Sequence, residues 1–304
     1  PSVLPLLEKD PQLVALVARL KGLGNRVAAL VAGRVTHPVS LQVGGVAMTP
    51  DVGALKTLAA DLRGAMPDLQ AAVELFAGLK VPDFARETEF VSLAPGDDGA
   101  YPWIGGDLIS TDGVRKAEAE YLAMTNERVV PDNTTKWCSL SRESMAVGAL
   151  ARFNNNHALL RPAALKAAER LGLSPDCHNP FFNNHAQLVE CVHLVQESAD
   201  LALAIADAAG DATMGEVVTR AGAGTGAVEV PRGILYHHYE YDGDGRIVSA
   251  DCVIPTTQNN ANIHHDLAAL VEANLTEEMT DERMELLAAM LVRSYDPCIS
   301  CSVH

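Results

Sequence analysis

Asp296-Pro297-Cys298-Ile299-Ser300-Cys301-Ser302-Val303-His304 closes the 304-residue sequence. Two cysteines flank two residues in a turn set by Pro297. Such a turn directs both sulfurs at one metal ion or opposes them as a redox pair. His304 adds an imidazole at the same spacing. A closed tetrahedral zinc site needs about four ligands, and the chain holds no second C-x-x-C. On this segment alone, half of a metal site and an incidental structural pair both remain open.

Moving upstream, Val253-Ile254-Pro255-Thr256-Thr257-Gln258-Asn259-Asn260 is an apolar strand that ends in neutral hydrogen-bonding groups. It suits the wall of an uncharged polar ligand, or a strand-to-helix junction capped by Thr and Asn. Before it lies Glu229-Val230-Pro231-Arg232-Gly233-Ile234-Leu235-Tyr236-His237-His238-Tyr239. Arg232, between Pro231 and Gly233 at the entry of a strand, presents a fixed guanidinium to a small polar ligand; otherwise it is an ordinary surface arginine in a turn. His237 and His238 alternate across the strand and cannot share one ion. His264 and His265 read as a solvated face near a helix start. His37, before Pro38, either steadies a ligand from behind or makes a structural hydrogen bond. Residues 222–226, Gly-Ala-Gly-Thr-Gly, read as a glycine-rich loop without the Gly-Lys-Ser/Thr of a phosphate cradle.

The rest of the chain supplies the scaffold. Apolar spacing predicts helices over residues 11–32, with Gly33 as the stop, from Thr49 to about Leu79, and over 158–171, 186–209, 263–274 and 281–292. Along 186–209 the shared face is Leu188, Val192, Val195, Ala199, Ala202 and Ala206, small enough for close helix packing. Residues 83–135 are rich in Gly, Pro, Asp and Thr and read as loops with short strands. Residues 233–254 read as a β-hairpin turned by Asp242-Gly243-Asp244-Gly245. The expected fold is mainly α (α+β), a long-helix bundle with small β-hairpin layers.

Composition sets the outer bounds. A net charge of −16, from 39 acidic and 23 basic residues, excludes nucleic acid as a partner. Nowhere does an apolar run approach the roughly 18 residues of a membrane span. Glu8, Lys9 and Asp10 stand where a secretion signal would be apolar. Six unevenly spaced cysteines, four of them scattered and two in the C-x-x-C, are too sparse for a disulfide scaffold, so a reducing, cytoplasmic setting is expected.

Taken together, D-P-C-x-x-C-x-x-H, P-R-G-x-L-x-H-H-Y and P-T-T-x-N-N resemble the large, catalytic subunit of the nickel–iron hydrogenases. Gly33-Arg34-x-x-His37-Pro38, followed by Val43-Gly44-Gly45-Val46, and Val147-Gly148-Ala149-Leu150-Ala151-Arg152 extend the likeness in order along the whole chain. The details look most like the cytoplasmic branch linked to deazaflavin, NAD(P) or other soluble acceptors. Val230 stands where Ala is usual and Ala149 where Pro is usual. Large subunits of this family carry another C-x-x-C nearer their N-terminus, and this chain starts after that place. Residues 1–304 are thus expected to be the C-terminal portion of such a subunit, its end at His304 matching a matured, cleaved terminus.

The resemblance implies roles for matched positions. Cys298 is the terminal nickel thiolate, and Cys301 bridges nickel and iron. Arg232 and Thr256, with Pro231 and Pro255 as walls, surround the carbon monoxide and cyanide ligands of the iron. Asp296 and Arg232 form a polar canopy over the open metal position. His304, with the backbone carbonyl of Cys252, holds a structural Mg2+ or Fe2+. The implied reaction is reversible heterolytic cleavage of H2 to protons and electrons, the proton going to a nickel thiolate or to Arg232. Iron–sulfur clusters are expected only in partner subunits, a small subunit first and flavin-containing subunits beyond it. The rival readings are a hydrogenase-like, non-catalytic scaffold subunit of an electron-transfer complex and a simple C-x-x-C thiol oxidoreductase, which lacks its βαβ context.

Overall fold

The computed structural model describes residues 4–97, 99–131, 133–208 and 214–303. It divides into two compact units, Pro1–Phe76 with Cys191–Val218, and Ala77–Glu190 with Thr219–His304.

The first unit is helical. It begins with α1 (Leu4–Lys9) and α2 (Pro11–Ala32). Asp10 caps α2 by accepting the Leu13 amide, Pro11 starts it, and Gly33 ends it at φ +81°, the left-handed geometry that glycine takes without strain. A two-residue pair, β1 (Leu41–Gln42) and β2 (Gly45–Val46), follows. The stretch from Thr49 to about Leu79, expected to be one helix, is two: α3 (Val52–Gly64) and α4 (Met66–Ala77). Pro67 explains the break, since it has no N–H to continue the ladder and its ring collides with the preceding turn. Leu23, Leu55, Leu58, Ala59 and Leu62 pack with Ala199, Ala202 and Ala206 to form this unit's core.

The second unit carries the β-layers. Its first sheet runs β5-β4-β3-β6, from β3 (Glu89–Leu93), β4 (Leu108–Ser110), β5 (Arg115–Lys116) and β6 (Met145–Ala146), with α5 (Tyr121–Thr125) between the last two. Next come α6 (Ala149–Asn156), α7 (Pro162–Arg170) and α8 (Asn183–Asp207). Helix α8 begins in this unit, and its residues from Cys191 onward belong to the first. The second sheet is an antiparallel meander of β7 (Gly222–Val230), β8 (Gly233–Tyr241) and β9 (Ile247–Val253). Residues 222–226, expected as a loop, are instead the first half of β7, paired with 237–241 of β8. Val91, Leu93, Leu108, Met145, Ile234, Tyr236 and Val253 form one core across both sheets.

The chain closes with α9 (Pro255–Asn274), α10 (Asp281–Ser294) and α11 (Ile299–Ser302). Helix α9 starts at Pro255, at its first-turn position, rather than near Ile263. His264 and His265 therefore sit inside the helix, with their rings 5.0 and 5.5 Å from that of Trp137. Helix α10 stops because Asp296 takes φ +49° and Pro297 follows, which cannot continue a helix.

Candidate metal centre

The stop after α10 aims the C-x-x-C back at the start of α9. The amide of Cys298 donates to Thr256 Oγ1 at 3.1 Å, and the amide of Cys301 donates to the Cys298 carbonyl at 3.1 Å. This single turn brings the sulfurs together, and the structure joins them as a disulfide with Cα atoms 5.3 Å apart. That separation lies inside normal disulfide reach. The geometry that lets two sulfurs address one ion also lets them bond to each other, and the pair stands here in the opposed, disulfide-bonded arrangement that the spacing also allows. Ser302 Oγ accepts from Thr135 Oγ1 at 3.3 Å and donates to the Cys298 carbonyl at 3.2 Å, pinning the turn from below.

Arg232 reaches the same turn from the β7–β8 connection. Its Nε donates to the Asp296 carbonyl and lies 3.1 Å from Asp296 Oδ2. The pair is half-exposed, at 39% and 49% of the side chains, so its Coulomb energy is modest and the backbone must set its position. The backbone does so through close packing. Gly148 (φ +114°) and Gly233 (φ +138°) let the Val147-Gly148 and Arg232-Gly233 segments touch. A Cβ on Gly233 would stand 2.2 Å from Val147 Cγ2, and one on Gly148 would stand 3.1 Å from the Arg232 carbonyl. Asn259 bridges the two segments: its Oδ1 accepts from the Val147 amide at 2.8 Å and its Nδ2 donates to the Arg232 carbonyl at 3.2 Å. Gln258 Nε2 donates to the Ile234 carbonyl at 2.6 Å.

The residues proposed from sequence thus fall into three groups. Cys298, Cys301, Thr256, Arg232 and Asp296 are linked by the contacts above. Pro255 is buried as the first residue of α9, whereas Pro231 is exposed at the strand turn. Cys252 lies in β9 opposite His237, with its Sγ 3.2 Å from His237 Nδ1; its expected partner His304 lies outside the described residues.

Sequence reasoning missed a buried charge cluster directly behind Pro231. Arg152 makes a two-pronged contact with Glu190 (2.6 and 2.7 Å) and a 2.9 Å contact with Glu229 Oε2. It also donates to the carbonyls of Val230 at 2.9 Å and Pro231 at 3.4 Å. Burial pushes the Glu229 carboxyl up, against the pull of Arg152. Burial lowers Arg152, but Glu190 and Glu229 more than offset this and hold it above its ordinary value. Burial also raises Tyr101 well above the normal phenol range, reinforced by Glu190. Arg152 and Glu229 both stand inside quoted motifs; what sequence could not supply was their meeting with Glu190.

As a donor set, the turn fits a soft metal by half. Two cysteine sulfurs converge and a cation stands beside them, which suits a thiolate-bound centre with electron-rich ligands. Among the described residues, no group of three or more His, Cys, Asp or Glu side chains gathers as a metal site.

Comparison with known proteins gives the chain's family and fold. A family model for nickel-dependent hydrogenases matches residues 135–304. The alpha subunit of sulfhydrogenase 1 from Pyrococcus furiosus is 30% identical over the whole chain, which spans 70% of that protein. The beta subunit of the NAD-reducing hydrogenase HoxS from Cupriavidus necator is 29% identical, again over the whole chain and 68% of its own length. Among solved structures, an NAD+-reducing [NiFe]-hydrogenase in its H2-reduced state superposes with a TM-score of 0.84 at 24% identity, covering all of this chain and 71% of that one. The chain belongs to the nickel-dependent hydrogenase family, a family of enzymes. Its α+β fold is that of the nickel–iron large subunits.

Proposed function

We propose that this chain is the catalytic subunit of a nickel–iron hydrogenase, cleaving H2 reversibly and passing electrons to an iron–sulfur partner subunit. The observation that carries the reading is the convergence of Arg232, Asp296 and Thr256 on the Cys298–Cys301 turn. The centre, when bound, supplies the Lewis acidity that turns H2 into a proton donor. On this chain, Cys298 and Cys301 would hold it as thiolates. A guanidinium is not deprotonated in proteins, and that of Arg232 stands 3.1 Å from Asp296 Oδ2. The proton acceptor is therefore a cysteine Sγ, and Arg232 serves as a fixed donor to electron-rich ligands of the iron, carbon monoxide and cyanide. Thr256 accepts the Cys298 amide and has its own hydroxyl proton to offer the same pocket.

Several finer assignments belong to the same reading. The Cys252 carbonyl and His304 hold a structural Mg2+ or Fe2+, Pro231 and Pro255 flank the pocket, and flavin-containing subunits lie further along the electron path in the cytoplasm. No described helix is long and apolar enough to cross a membrane. The test is dye reduction under H2 by the assembled complex. Activity that disappears in both Cys298→Ser and Cys301→Ser supports the reading. A wild-type complex that reduces no dye under H2 returns the chain to the scaffold reading.

A further inference from the structure

The buried cluster behind Pro231 has no part in the chemistry above. Its side chains are nearly sealed: Arg152 is 1% exposed, Glu190 8% and Glu229 0%. Burying one guanidinium with two carboxylates costs several kcal/mol per ion, and well-packed apolar groups of equal volume are often as stable or more so. Stability is therefore a poor reason for its presence. Apolar side chains cannot, however, hold carbonyl oxygens. Three successive carbonyls leading to the pocket are held: Val230 and Pro231 by Arg152, and Arg232 by Asn259. Glu229 is itself fixed from the other side, where its Oε1 accepts the Leu93 amide at 2.9 Å.

We propose that Arg152, locked by Glu190 and Glu229, is a positioning residue that fixes the backbone at residues 230–232 and so delivers the Arg232 guanidinium to Asp296 beside the C-x-x-C. This rests on the reading of Arg232 as a pocket residue, but it concerns the order of that side chain and can be read without metal.

The test uses the full chain in two forms. Arg152→Met with Glu190→Gln and Glu229→Gln neutralises the cluster without stranding a buried charge. Arg152→Lys keeps the charge but loses the planar fork. Two readouts follow Arg232: the 15N-resolved Nε–H resonance, assigned with Arg232→Lys, and modification by phenylglyoxal mapped by peptide mass spectrometry. Arg19, an exposed arginine paired with Asp68, is the internal control. In both variants Arg232 should lose its dispersed resonance and react several-fold faster, with Arg19 unchanged and cooperative unfolding retained. An unaltered Arg232 resonance and rate in either folded variant overturns the proposal; should the neutral variant not fold, Arg152→Lys decides. Nickel content is read separately, so a wild-type complex without nickel counts against the hydrogenase reading and leaves this result standing.

Discussion

Gly233→Ala probes the contact on which the placement of Arg232 depends. The new methyl group would lie 2.2 Å from Val147 Cγ2 and 2.7 Å from Val147 Cβ, at φ +138°. The backbone conformation alone costs a non-glycine residue about 1–3 kcal/mol. Overpacking against a buried valine adds about 1–3 kcal/mol. Together they give a loss of about 2–6 kcal/mol, a large part of a domain's usual stability. Urea unfolding should show a lowered midpoint at an unchanged slope. Val147→Ala alone should cost about 1–3 kcal/mol. The double variant should cost less than the sum by about 1–2 kcal/mol, a coupling typical of residues in contact. Relief is partial because the Cβ of residue 147 remains 2.7 Å away. A Gly233→Ala protein within about 0.5 kcal/mol of wild type, or a strictly additive pair, would refute the reasoning.

Three further outcomes are expected. Thr256→Val removes the acceptor of the Cys298 amide; it should cost about 1–2 kcal/mol and speed hydrogen exchange at that amide, and unchanged exchange counts against the contact. Thiol alkylation of the unfolded, metal-free chain without reductant should mark Cys138, Cys177, Cys191 and Cys252, with Cys298 and Cys301 joining only after reduction; labelling of these two before reduction contradicts the disulfide in the metal-free chain. The third concerns acid. The Arg142 guanidinium, helped by the Ser141 hydroxyl, holds the Asp112 carboxyl below its ordinary value. The unfolded chain therefore binds the proton more readily, and this contribution is present above about pH 4 and lost as pH falls through the folded value. Denaturation midpoints in Asp112→Asn should fall less steeply with acid than in wild type; equal slopes remove the pair from the account.

The legible parts of the fold are those whose buried face is apolar. Helix α2 shows its leucine and valine stripe and its Gly33 stop, and α8 shows Val192, Ala199, Ala202 and Ala206, all buried. The start of α9 was hidden for the opposite reason. Thr256, Thr257, Gln258, Asn259 and Asn262 are all buried, so the inward face is polar and leaves no hydrophobic period. Strand β7 was hidden by its glycines, which supply backbone pairing to β8 but no alternation of side chains. Within the site, the motifs carried Cys298, Cys301, Arg232, Thr256 and Asp296. The Arg152–Glu190–Glu229 cluster depends on contacts in space: Arg152 and Glu190 are 38 positions apart and Arg152 and Glu229 are 77 apart.

The central claim is that Cys298 and Cys301 bind nickel, and elemental analysis of the complex purified with its partner subunits tests it directly. Nickel close to equimolar with this chain, and lost in both Cys298→Ser and Cys301→Ser while the complex stays assembled, is the expected result. Absence of nickel from the intact wild-type complex, or nickel retained in both serine variants, contradicts it.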